Sequence, residues 1–219
     1  MAGKSSAWSI RKESAKVDLN THRDYIVQSG EVMFSWNELQ NQYQALFSKV
    51  VANGRGDIGS AAWHTLVSDQ AQRDMLEAVL VAAFERGIEK KALLNMRWAL
   101  KETRKLASYR NIAAHMPVTV GYKGKGISTI PNLALARAQA AKIVRIVGYK
   151  ELYKLLTGEL YLLAAYVGAH HAVLYGISPG EFPRRLRLHD KCQLALNRAD
   201  QAKASKPKPR RRSPSNNFP

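Results

Sequence analysis

Apolar side chains return at alternating steps of three and four residues in segment after segment of this 219-residue chain, a rhythm that only packed helices can use. From about Asp24 to Val51 it is carried by Val32, Trp36, Leu39, Tyr43, Leu46, Phe47 and Val50, and Asn53-Gly54 with Gly56 close the segment. Ser60 to Val67 predicts a short helix. Ser68 has the chemistry of an N-cap with Asp69 in the first turn behind it, and the next helix runs to Arg86-Gly87 with Met75, Leu76, Val79, Leu80, Ala83 and Phe84 toward the core. Lys90 to Met116 repeats the pattern through Leu93, Met96, Leu100, Thr103, Ala107, Arg110 and Ala114. Pro117 disfavours helix at the residue before it, so this helix should finish at or just after His115.

Beyond Pro117 the period changes. Val118 to Val120 and Ile127 to Ile130 alternate about Gly124-Lys125-Gly126, which predicts a small β-hairpin. Leu133 to Val147 reads as an Ala-rich helix broken at Gly148, and a long apolar helix follows to about Tyr175. The expected fold class is all-α, a bundle of four to five helices with a hairpin inserted late in the chain. The expected organisation is a flexible arm over residues 1–20, a helical domain over 21–180, a polar helix over 181–202 and a disordered basic tail over 203–219. Trp8 and Ile10 are the residues able to dock the arm.

Cys192 is the only cysteine, which excludes an intrachain disulfide and a cysteine-built zinc site. The opening residues, MAGKSSAWSIRKES, do not form a secretory signal, and His170-His171 interrupt the most apolar run well short of the ~20 residues of a membrane span. The expectation is a cytoplasmic protein without membrane contact.

Charge narrows the partner. Lys and Arg number 34 against 17 Asp and Glu, a net charge of +17 with histidines neutral. Only Lys203, Lys206, Lys208, Arg210, Arg211 and Arg212 belong to the tail, so most of the excess lies in the body. Between Thr103 and Lys150 there is no acid at all, while Arg104, Lys105, Arg110, Lys123, Lys125, Arg137, Lys142, Arg145 and Lys150 fall there. Such a window suits a polyanion, although a plain solvated basic face has the same composition.

Within that window stands Arg110-Asn111-Ile112-Ala113-Ala114-His115, an R-N-x-x-x-H word at a helix end. Successive helical residues are about 100° apart, so Asn111 and His115 share a face with Arg110 at its edge. An imidazole can move a proton near neutral pH, a guanidinium can grip phosphate oxygens in pairs, and an amide can orient the ring or contact RNA. Those parts suffice for attack of a 2′-hydroxyl on its neighbouring phosphate. The same residues could instead satisfy helix-end carbonyls, with His115 as a C-terminal cap. His170-His171 point apart on a helix and read as core or interface residues, and Ser60, Ser68 and Ser108 lack a nucleophile-elbow setting.

The R-N-x-x-x-H word late in a core helix, followed by another long apolar helix, resembles the HEPN superfamily. The resemblance spans about residues 20–176, and its specific part is Arg110 to His115. It implies a metal-independent endoribonuclease of the toxin or phage-defence kind, with no cofactor. The implied catalytic residues are Arg110, Asn111 and His115, and the implied state is a homodimer that brings two motifs into one cleft. Arg104, Lys105, Lys123 and Lys125 are the expected RNA-binding cations, and an antitoxin or regulatory protein is the expected further partner. The inserted hairpin, the Ala-rich helix and the basic tail depart from the short family pattern. Two readings stand open: a ribonuclease, or a helical module that holds nucleic acid or a partner protein on the same basic face without chemistry.

Overall fold

A computed structural model describes residues 16–17, 19–52, 55–85, 89–123, 126–174, 176 and 182–185. The described residues are mostly helical. In chain order they form β1 (Lys16–Val17), α1 (Leu19–Ala52), α2 (Gly56–His64), α3 (Asp69–Phe84), α4 (Lys90–His115), β2 (Val118–Lys123), β3 (Gly126–Pro131), α5 (Ala138–Val147) and α6 (Tyr149–Leu174). β3 pairs antiparallel with β2, in register from Val118 opposite Pro131 to Lys123 opposite Gly126, and takes β1 in parallel on its other side. The arm as far as residue 15, Lys125, Cys192, all but four residues of the expected 181–202 helix, and the 203–219 tail lie outside the described residues. Residues 182–185 are not helical.

The core is built on α1 and α6, which run side by side in the same direction. Tyr25, near the start of α1, packs on Tyr149 and Tyr153 near the start of α6, with ring centroids 5.5 and 6.1 Å apart. Farther along, Gln42 approaches Gly168. α2 folds back on α1 through a Phe47–Trp63 ring contact at 5.5 Å, and Gly59 lets the two backbones close over Ser48. α4 is tied to α1 inside the core by Tyr43 and Thr103, 2.6 Å apart. Thr103 spends its own proton on the Ala99 carbonyl, so the Tyr43 hydroxyl is the donor of that pair.

Local signals explain where helices begin and end. Ser68 is extended and its hydroxyl accepts from the Ala71 N–H, an N-cap for α3. Met116 adopts an extended backbone, φ −68° and ψ 116°, as the residue before proline should, and α4 stops at His115. Three starts differ from the sequence reading, and the first is that α2 begins at Gly56 rather than Ser60. α1 begins at Leu19 rather than near Asp24. α5 begins at Ala138 rather than Leu133, because the Asn132 side-chain oxygen accepts from Ala134 and Leu135 N–H groups and winds residues 133–136 into a turn instead.

Candidate functional site

The motif lies in the last two turns of α4, but its three residues do not have the same surroundings. Asn111 and His115 are exposed. Arg110 is turned toward α1 and α3, with its side chain only 16% exposed. There its Nη2 donates to Asp69 Oδ2, and its guanidinium carbon sits 4.5 Å from the centroid of the Trp36 ring. Trp36 is 1% exposed, and its indole Nε1 donates to the same Asp69 oxygen at 2.9 Å. A carboxylate at the start of α3 thus joins an arginine and a tryptophan that are far away in sequence.

A second guanidinium enters the cluster. Arg73, one turn beyond Asp69 on α3, is 3% exposed and lies 5.3 Å from the Trp36 ring centroid. Its Nε and Nη1 are buried without a hydrogen-bond partner among the described residues, as is Arg110 Nε. Burial holds the Arg73 guanidinium below its usual value, against the attraction of Asp69 and Tyr43, and the like charges of Arg110 and Arg104 push the same way as burial. The cluster therefore carries two cations and one anion around an indole face, a surplus of positive charge on the inward side of α4 at the level of the motif.

Neighbours in space change the meaning of the acid-free window. Helix α3 lays Asp74 and Glu77 along α4, where Arg104 Nη2 reaches both at 2.8 and 2.6 Å and Arg97 reaches Glu77 at 3.2 Å. Hydrogen bonds from Arg104 are the main cause that holds the Glu77 carboxyl below its ordinary value, and the two acids raise Arg104 in return. Lys105 pairs with Glu102 at 2.6 Å. Of the expected RNA-binding cations, Arg104 and Lys105 are thus engaged by carboxylates, Lys123 is the last residue of β2, and Lys125 lies outside the described residues. Among the described residues, no group of three or more His, Cys, Asp or Glu side chains could hold a metal ion, and no helix is long and apolar enough to cross a membrane.

Sequence reasoning found Arg110 but not its partners. Trp36 was read as core, Asp69 as a helix-start acid, and Arg73 was not singled out. A signal existed nonetheless. Stepping back from Leu76 by three, four and seven residues reaches Arg73, Gln72 and Asp69, so polar residues occupy the core-facing stripe of α3 for its first turns. Gln72 uses this position to cap the preceding turn, donating to the Trp63 and Leu66 carbonyls. No protein-family model matches the chain, and no curated protein or solved structure does either.

Proposed function

We propose that the chain is a metal-independent endoribonuclease of HEPN type, a helical bundle with the β2–β3 hairpin inserted after its motif helix, acting as a homodimer. The observation that carries the reading is the arrangement at the end of α4: an exposed asparagine and histidine four residues apart, beside an arginine whose position is set by Asp69 and the Trp36 ring. In this reading His115 moves the proton of the 2′-hydroxyl or of the leaving oxygen, and Arg110 offsets the charge that gathers on the phosphate. Asn111 orients the ring or the RNA. Arg110 holds Asp69 through Nη2 and its Nε is buried, so Nη1 is the nitrogen it would offer to phosphate. Two motifs facing each other across a two-fold axis supply separate acid and base, which one copy does not.

Incubating purified protein with total RNA in EDTA tests this. His115→Ala should lower cleavage by about 10²–10⁴-fold with binding nearly unchanged, while Arg110→Ala should weaken both. Absence of cleavage by the wild-type chain, or equal cleavage by His115→Ala, would overturn the enzyme reading. One observation favours the second reading, a binding module: Arg110 is also a packing residue, stacked on a buried indole and paired with a carboxylate, which is sufficient reason for an arginine there. RNA binding without cleavage is the result that would select it.

A further inference from the structure

At the opposite end of α4 from the motif, a short C-terminal segment is strapped onto the bundle. Phe182 stacks on the His170 ring, centroids 5.3 Å apart and planes 21° from parallel. Arg185 reaches α4, where its Nε donates to Asn95 Oδ1 at 3.1 Å and its Nη2 to the Leu94 carbonyl at 3.2 Å. His170 itself is fully buried on α6, against Tyr166 at 4.3 Å between ring centroids. Its Nδ1 lies 3.0 Å from the Tyr166 carbonyl oxygen and its Nε2 lies 3.1 Å from Asn95 Nδ2.

The polarity of these bonds is forced. A carbonyl oxygen only accepts, so His170 Nδ1 carries a hydrogen, and an amide nitrogen only donates, so Nε2 offers a bare lone pair. Arginine has no acceptor, so the Asn95 oxygen must face Arg185 and its nitrogen must face His170. A neutral imidazole satisfies every group in this relay. An imidazolium does not: Nε2–H would meet the Asn95 N–H₂, and turning the amide over would set that N–H₂ against the Arg185 Nε–H. No orientation of Asn95 serves both cations.

We propose that His170 is a proton-sensitive latch for the C-terminal strap: the neutral ring holds Asn95 in the orientation that anchors Arg185, and proton uptake releases residues 182–185 from the bundle. This inference stands apart from the ribonuclease reading. The charged and titratable groups facing the latch are Arg185 from the strap, Lys91 from α4 and the Tyr166 phenol from α6, and Lys49 of α1 acts on neighbouring His171. The fixed charges among them are cationic and disfavour a second positive charge on the ring. Burial, which lowers His170 from an ordinary value of 6.5, acts in the same direction. The sign of the response follows. An undocked His170 binds a proton more readily than a docked one, so docking is complete above about pH 6.5 and weakens as the pH falls below it, by up to tenfold in the docking equilibrium per pH unit.

The test is NMR of the full chain, with ¹⁵N shifts of the His170 ring reporting the tautomer and the backbone ¹⁵N order parameters of Phe182, Arg184 and Arg185 reporting docking. At pH 7.5 the Nδ1–H tautomer is expected with Phe182, Arg184 and Arg185 ordered. Lowering the pH to about 5 should bring those order parameters down toward the flexible range, below about 0.6, while the amides of α1 and α6 keep their protection from hydrogen exchange. His170→Gln keeps an acceptor toward Asn95 and cannot take a proton, so its strap should stay docked through the same range. Arg185→Ala, an exposed change that does not endanger the fold, should undock the strap at every pH and move His170 titration upward. An Nε2–H tautomer, unchanged order of Phe182, Arg184 and Arg185 down to pH 5, or a strap in His170→Gln that is released like wild type would overturn the proposal. If His170→Gln does not fold, no upward movement of His170 titration in Arg185→Ala would overturn it equally.

Discussion

Replacing Asp69 with alanine removes the carboxylate that joins three helices, and the cost can be built from its two bonds. The Trp36 indole N–H, 1% exposed as a residue, would be left buried without its acceptor, a loss of about 1–3 kcal/mol. The charge-assisted bond from Arg110 is of a kind that contributes about 1.5–3 kcal/mol, but the Asp69 side chain is 35% exposed and water screens it, so the lower end applies. Arg73 would also lose the nearest attraction opposing its burial. A total near 3 kcal/mol follows for Asp69→Ala. Asp69→Asn keeps an acceptor for Trp36 but not the charge for the arginines, and should cost about 1–2 kcal/mol. Urea unfolding followed by tryptophan fluorescence measures both. With a slope of about 2 kcal/mol per molar, the alanine variant should unfold at roughly 1.5 M less urea. A loss below about 0.5 kcal/mol for Asp69→Ala would show that the cluster does not hold α1, α3 and α4 together.

Two glycines should respond in opposite senses. A Cβ on Gly59 would lie 2.2 Å from Ser48 Oγ and 2.5 Å from Ser48 Cα, so Gly59→Ala should force α2 away from α1 and cost about 1–3 kcal/mol, whereas Gly30→Ala on the open face of α1 meets nothing within 4 Å and should gain about 0.5–1 kcal/mol. Thermal melts of the two variants check this, and equal effects would contradict the packing. At high pH the buried phenols of Tyr43 and Tyr153 are pushed well above their ordinary value by burial, first and foremost. The folded chain therefore keeps protons that the unfolded chain releases, and stability should fall as the pH rises past 10. Phenolate absorbance recorded with circular dichroism should show these two tyrosines ionising only as the helices melt, and their ionisation in a folded chain would refute the burial argument.

The features legible from sequence were those that a few neighbouring residues decide. Pro117 restricts the backbone of Met116 by direct steric contact, Ser68 caps the helix that starts beside it, and the stripe of α4 reads from Leu93 to Leu100 without knowledge of what it faces. The spacing of Asn111 and His115 is likewise a property of helix geometry, which is why both could be placed on one face in advance. What surrounds Arg110 was not of this kind. Asp69 is 41 residues from Arg110 and 33 from Trp36, and only the packing of α1, α3 and α4 brings them into one cluster. The acid-free window failed as a map of charge for the same reason: a linear stretch records its own residues, while the field at Arg104 depends on Asp74 and Glu77 across the helix pair. The Asn95–His170–Arg185 relay spans 90 residues between Asn95 and Arg185 and depends on which atom of each side chain faces which. Periodicity determines which face of a helix is buried; the partner it is buried against, and hence the direction of each hydrogen bond and the sign of the local charge, is decided only when the helices pack.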